Sequence, residues 1–250
     1  MPNRSLTVIV PAYREIKNLL PAYESILRIL EKSKINDYEI IIITNTRRDG
    51  TDDGPPDVAA QIASDYPHTR HIHNDTYVGL GYKYYQGAQA ATKNYLIMIP
   101  SSGEFVEDTI PGVINHIGKA EIIVTYNSNP HSRAFKRRFV SKGFTILCNT
   151  LFGLNLKYYN GLNILPRKDI KDIPTRSEGF TYMAEILVYL IKSGVSYIEI
   201  PWDVKPAKGP QALHSAFNFR TVLESLGTVA NLVCQVHFLR KRIKPEIISL

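Results

Sequence analysis

Between Tyr38 and Asn45 the chain reads YEIIIITN, with four isoleucines in a row and no alternation of apolar and polar positions. A strand that is apolar throughout has both faces buried, as in a parallel sheet covered by helices on each side. The neighbouring segments supply such helices. LTVIVPAY is a short apolar run that stops at Pro11, and KNLLPAYESILRILEKS follows with Leu19, Leu20, Tyr23, Ile26, Leu27 and Leu30 at helical spacing. The Asp/Gly/Pro-rich TRRDGTDDGPPD is a loop, and VAAQIASDY is a helix. TRHIHN then reads as a short strand, GYKYYQGAQAAT as a helix, NYLIMIP as a strand, EDTIPGVINHIG as a helix and AEIIVTYN as a strand. Successive βα units of this kind predict an α/β fold with an open, mostly parallel sheet and helices on both faces. Ligands of such sheets bind beyond the carboxyl ends of the strands, so chemistry is expected in the loops after Val10, Ile43, Ile99 and Thr125.

After Asn127 the pattern changes. RAFKRRFVSKGFTILCNTLFG reads as one long helix, LNLKYYNGLNILPRKDI as an irregular or β segment, GFTYMAEILVYLIKSG as a helix and VSYIEIPWDV as a strand. No shift of composition marks a linker, so the expected division is one main domain over 1–217, followed by a helix and basic tail over 218–250. With 250 residues and 44% hydrophobic content, one large core is within reach. Cys148 and Cys234 have neither CxxC nor Cys/His spacing, which argues against a disulfide framework or a zinc site. MPNRS leads straight into a strand without the pattern of a secretory signal, so a cytoplasmic location is expected. A formal charge of +7 favours anionic partners: phosphorylated substrates, lipid headgroups or nucleic acid. Without an RNP-type signature, zinc finger or helix-turn-helix, nucleic acid is not expected.

The order of motifs resembles family 2 glycosyltransferases of GT-A type (Rossmann-like) fold, and within them the polyprenyl-phosphate (dolichol-phosphate) mannose and glucose synthase branch. VIVPAYREIKNL resembles the opening strand and its P-Y-N-E turn, YEIIIITNTRRDGT the strand and DDGSTDGT loop, and YVGLGYKYYQGAQAATKNYLIMIP the GLGxAxxxGxxxAxGDxxxxxD segment. RRFVSKGFTILCNTLFGLNL is similar to RRxxSRxxNxLxxxLxGL, YNGLNILPR stands where DxxSGFRxxxR is expected, and AEILVYLIKSGVSYIEIPWDV matches xEILxxxxxxGxxxxEVP. The likeness runs from about Leu6 to about Val204. It implies an inverting transfer of a sugar from a nucleotide donor to an acceptor, either a polyprenyl phosphate or a surface-glycan precursor. Donor-binding positions carried over are Pro11, Tyr13, Glu15, Asn45, Arg47, Asp49, Gly81, Lys83, Ser101 and Ser102.

Two departures stand out. Thr44 and Asn45 occupy the place of the family's paired aspartates for base and ribose, with Asp49, Gly50 and Thr51 retained. Pro100, Ser101 and Ser102, followed by Gly103 and Glu104, occupy the place of the DXD motif, whose carboxylates hold Mg²⁺ or Mn²⁺ against the donor diphosphate. Such a metal is not supported by this turn, and Glu104 would be a weak ligand for it. Arginine is the alternative charge carrier, since guanidinium binds phosphate bidentately and keeps its charge. Arg47, Arg48 and the HSRAFKRR segment with His131, Arg133, Lys136, Arg137 and Arg138 supply that charge, and Ser141 belongs to the same phosphate or acceptor group. A solvated basic helix face is the bland reading of the same run.

Glu185 and Glu104 are the candidate general bases where the acceptor is a hydroxyl; a phosphate acceptor needs none. For Glu185 a structural carboxylate bonded to neighbouring loops is an equal alternative. Tyr159 and Asn160 are candidates for stacking on a sugar and for hydrogen bonds to its hydroxyls, or for a plain turn. Lys205 and Lys208 keep charge in PAKGPQALHS, which resembles the branch's mobile loop. His71 and His73 share one face of a strand and read as an edge or polar core pair rather than a metal site. The tail is read either as an interfacial helix that holds the protein peripherally at the inner membrane face, or as a helix packed on the body or on a second subunit in a homodimer. Two other functions remain open: a catalytically inactive GT-A-like binding or scaffold protein, and a transferase that uses a non-diphosphate donor.

Overall fold

The computed structural model describes residues 4–14, 16–51, 54–133, 135–170, 173, 177–205, 227–234 and 236. The first half alternates strictly: β1 (Leu6–Pro11), α1 (Ile16–Lys32), β2 (Tyr38–Asn45), α2 (Pro55–Asp65), β3 (Thr69–Asn74), α3 (Leu80–Ala90), β4 (Tyr95–Met98), α4 (Ile110–Ile114) and β5 (Ile122–Asn127). There follow α5 (Phe135–Phe152), β6 (Ile164–Pro166), α6 (Arg167–Ile170), α7 (Tyr182–Lys192) and β7 (Tyr197–Trp202). The strands form a seven-stranded sheet in the order β3-β2-β1-β4-β6-β5-β7. β6 runs antiparallel to β4 and β5, whereas β1 lies parallel to β2 and β4, β2 to β3, and β5 to β7.

The isoleucine run behaves as its composition demands. Ile41 and Ile43 point into one core with Ile9, Met98 and Val124, where α3, α5 and α7 pack. Ile40 and Ile42 point into the other with Val8, Val10 and Ile97, beneath α1, α2 and α4. All four isoleucines are fully buried, and each contributes about 1.5–3 kcal/mol by leaving water.

Three details depart from the sequence expectation or lie beyond it. EDTIPGVINHIG makes only a 3-10 turn, Glu107–Thr109, and the five-residue α4; Gly118 beyond it adopts φ +92°, a left-handed turn that a longer helix could not pass through. The irregular segment after α5 contributes β6, which enters the sheet between β4 and β5. Residues 227–234 are helical, and Val229, Leu232 and Val236 are buried in the core beside α5 and α7. Of the two readings of the tail, these residues follow the one that packs on the body. The proposed boundary at 217/218 and the basic run Arg240–Lys244 lie outside the described residues.

Candidate active site

At the carboxyl end of β1 two side chains from other elements land on consecutive carbonyls. Ser101, in the turn after β4, donates its hydroxyl to Pro11 O (2.9 Å), and Lys83 of α3 donates to Ala12 O (3.2 Å). Both are buried, Lys83 at 3% exposure. Burial pushes the Lys83 ammonium down to about 8, because the charged form has lost its hydration. Its Nζ lies 5.6 Å from the Tyr13 ring, which meets Tyr77 edge-on at 5.7 Å. α3 reaches this position through close backbone approach: Gly81 N donates to Glu178 O (2.9 Å), and a Cβ on Gly81 would stand 2.0 Å from Ser177 O. The need for glycine at 81 is therefore packing of α3 against residues 177–178.

The loop after β2 carries the next group. Asn45 Nδ2 donates to Thr46 O (2.7 Å), while Asn45 Oδ1 is buried without a hydrogen-bond partner. A buried acceptor left open in this way keeps its capacity for one further hydrogen bond. Thr44 Oγ1 bridges His71 Nε2 (2.7 Å) and His73 Nδ1 (2.8 Å), so this histidine pair is a polar cluster on the edge strand β3. Burial, with His73 close by, holds His71 below its ordinary value. Arg48 stacks on Tyr77 at 4.2 Å. Arg47 shares its backbone with the same turn, accepting from Gly50 N and donating to Thr51 O. Asp49, expected at the donor, turns its carboxylate back on Thr51, accepting from its hydroxyl (2.6 Å) and amide (3.0 Å); these bonds hold it below the usual carboxylate range.

The turn after β4 brings Ser102 and Glu104 to the surface of the rim, both half-buried. Glu104 pairs with Arg137 of α5 (3.8 Å), which ties this turn to the basic helix. Lys205 caps the other side: its amide donates to Glu104 O (3.1 Å) and its Nζ lies 5.9 Å from the Phe105 ring. Arg133 donates to the Tyr158 hydroxyl (2.8 Å), and Asn127, with its amide oriented to satisfy both of its ends, accepts from Arg133 at 3.1 Å. Arg138 and Ser141 are half-buried along α5.

The expectation for Tyr159 is corrected. It is 1% exposed, packed edge-on against Phe144, and its hydroxyl donates to Asn149 Oδ1 (2.9 Å), so it cannot stack on a sugar. The pattern YY hid the difference, since Tyr158 is the member that faces Arg133. Asn160 is exposed, and the buried amide is Asn163, which accepts from Thr125 N (2.7 Å) and donates to Tyr159 O (2.8 Å). Glu185 is buried in α7 and accepts from Ser177 N (2.6 Å), which places it as a brace of the 177–178 loop that α3 leans on. Glu15 and Lys208 lie outside the described residues.

The sequence profile of glycosyl transferase family 2 matches residues 7–177. The chain belongs to glycosyl transferase family 2. A dolichyl-phosphate β-glucosyltransferase of Dictyostelium discoideum is 27% identical over 222 residues, covering 79% of this chain; the chain spans 65% of that relative's length. Among solved structures, glucosyl-3-phosphoglycerate synthase of Mycobacterium tuberculosis, in complex with Mn²⁺, UDP-glucose and phosphoglyceric acid, superposes with a TM-score of 0.60 at 13% identity, covering 91% of this chain and 80% of that one. A mannosyltransferase of Pyrobaculum calidifontis, bound to GDP-mannose and Mn²⁺, gives 0.57 at 12%, over 91% of this chain and 69% of that one. These structures establish the GT-A fold.

The family's metal can be tested against the donor set. Among the described residues no three His, Cys, Asp or Glu side chains gather at one point. The turn after β4 offers the Ser101 hydroxyl, committed to Pro11 O, the Ser102 hydroxyl and a single carboxylate turned toward Arg137, a set that fits a divalent cation poorly. Sequence reasoning selected Lys83 without seeing what distinguishes it. In GLGYKYYQG the lysine stands where the family pattern GLGxAxxxG has alanine, so a cation has been put where a methyl group is expected.

Proposed function

We propose that the protein is an inverting glycosyltransferase that moves a sugar from a nucleotide donor to a polyprenyl phosphate or a related glycan precursor, with fixed side-chain cations in place of a DXD-bound metal. The observation that carries this reading is the Lys83 ammonium, buried on Ala12 O beside Ser101 at the end of β1. A buried ammonium with so few partners is expensive to keep, and it is worth keeping where an anion arrives. In this reading Asn45 Oδ1 receives an N–H of the base, Lys83 and the arginines of the rim hold the diphosphate, and charge that develops on the leaving group is met by groups already oriented toward it. The acceptor attacks the anomeric carbon from the face opposite the nucleotide. A lipid phosphate acceptor, suggested by the dolichyl-phosphate relative, would be held by Arg133 and Arg137 and would need no general base.

The test is a thermal-shift panel of UDP-, GDP-, CMP- and dTDP-sugars with Mn²⁺ and with a chelator, followed by transfer to polyprenyl phosphate under both conditions. One class of nucleotide sugar should raise the melting temperature, and transfer should survive the chelator. Transfer abolished by the chelator and restored by Mn²⁺ would overturn the cation substitution. Nucleotide binding without turnover would leave a binding protein as the correct reading.

A further inference from the structure

Helix α5 buries Thr145, Cys148 and Phe152, a stripe along one side. Its opposite side presents Phe135 at 75% exposure, Phe139 at 73% and Ile146 at 55%, in line with the exposed Lys142 at positions i, i+4, i+11 and i+7. Val140, 42% exposed, and Lys136 widen this face. Two phenyl rings three-quarters in water on adjacent turns are unusual for a helix whose other side is already packed. The charge that α5 itself carries has one sign. No Asp or Glu occurs in the sequence between Glu121 and Asp169, and the carboxylate paired with this helix, Glu104 on Arg137, comes from the turn after β4.

We propose that this face of α5 is the surface by which the protein docks on an anionic lipid bilayer. Phenyl and aliphatic side chains on one stripe, with lysines on either side, are what an interfacial helix needs: rings enter the boundary of the acyl chains while the amines reach phosphate headgroups. Self-association through the same face is opposed, because a second copy would bring like charge against like. The eighteen-residue helix is about 27 Å long, enough to lie along the membrane plane. The same helix also reaches the rim, from its far side, where Arg137 pairs with Glu104. Docking here would deliver a lipid phosphate to the arginines of the rim; that purpose rests on the glycosyl-transfer reading, whereas docking itself does not. It also reassigns membrane contact from the C-terminal helix, whose Val229, Leu232 and Val236 are spent on the core.

The experiment is flotation of the full chain with vesicles of phosphatidylcholine alone and with about 30% phosphatidylglycerol, at low and high salt. The wild type should float with the anionic vesicles and less so at high salt. The doubly substituted Phe135→Ser/Phe139→Ser variant should lose about a hundredfold in partition, with its melting temperature unchanged because neither ring packs in the core. Phe135→Trp/Phe139→Trp should keep binding, with tryptophan emission shifted to the blue on adding vesicles. A wild type that does not float, or a serine variant that floats equally well, overturns the assignment. So does a wild-type dimer in light scattering that the serine variant splits in the absence of flotation, which would make the face a subunit interface. Flotation without any nucleotide-sugar thermal shift supports docking and removes only the transferase reading.

Discussion

Replacing Lys83 by Met separates what the buried ammonium does for stability from what it does for binding. Burial lowers Lys83 from 10.5 to about 8, a difference that corresponds to about 3 kcal/mol of destabilisation at neutral pH. Lys83→Met keeps the length and apolar stem but removes the hydrogen bond to Ala12 O, at a cost of about 1 kcal/mol. The net expectation is a gain of about 2 kcal/mol, or a rise in melting temperature of about 4–8 °C for a chain of this size. The sign fixes the pH window. Below about pH 8 both folded and unfolded chains hold the proton and the full penalty stands; between about 8 and 10.5 the folded chain has released it while the unfolded chain has not, so wild-type stability rises with pH. The advantage of the variant should therefore shrink toward zero by about pH 9.5. Urea denaturation at the two pH values measures it, and the nucleotide-sugar thermal shift should be lost in the variant. A variant less stable than wild type at neutral pH, an advantage that does not change with pH, or undiminished nucleotide binding would each refute the reasoning.

Further expectations concern the scaffold. Gly81→Ala places a Cβ 2.0 Å from Ser177 O and should destabilise by about 3 kcal/mol or fail to fold, read by thermal melting. Tyr159→Phe loses only the bond to Asn149 and should destabilise by about 1 kcal/mol in denaturant while leaving transfer kinetics unchanged, as befits a core residue. Glu39 is buried, which alone would raise its pKa, but hydrogen bonds from Thr92, Thr7 and Arg70 outweigh this and hold the carboxyl below its ordinary 4.5. Its stabilisation is present above that value and disappears as pH falls through the lowered folded value. Glu39→Gln should thus be less stable by about 2 kcal/mol at neutral pH, with the difference closing in acid.

Much of the architecture was legible in the residues themselves. Four consecutive isoleucines leave no polar face, so the strand that holds them must be covered on both sides, and the 3.6-residue spacing of Leu19, Tyr23, Ile26 and Leu30 supplies the covering helix. The convergence of loops was legible too, because in such a sheet the loops gather at the carboxyl ends of the strands. The roles of individual side chains were less so. Tyr158 and Tyr159 are chemically identical neighbours, and only the direction of the chain before β6 sends one to Arg133 and the other into the core. Asp49 matched a family position, yet its carboxylate is taken by Thr51 two residues away, a local bond that the sequence alone could not rank against a ligand.

By itself, then, the order of residues determined which segments form strands and helices, which faces are apolar and which segments collect positive charge, since periodicity and composition act locally and accumulate along the chain. Tertiary structure decided the rest: that β6 enters the sheet antiparallel, that the C-terminal apolar stripe is covered while the rings of α5 are not, and that Lys83 and Ser101 meet at the end of β1. Each of these depends on which of several competing surfaces is buried. Burial is a property of the packed whole, and it is burial that turns an ordinary lysine at the start of a helix into a desolvated ammonium that gives up its proton more readily.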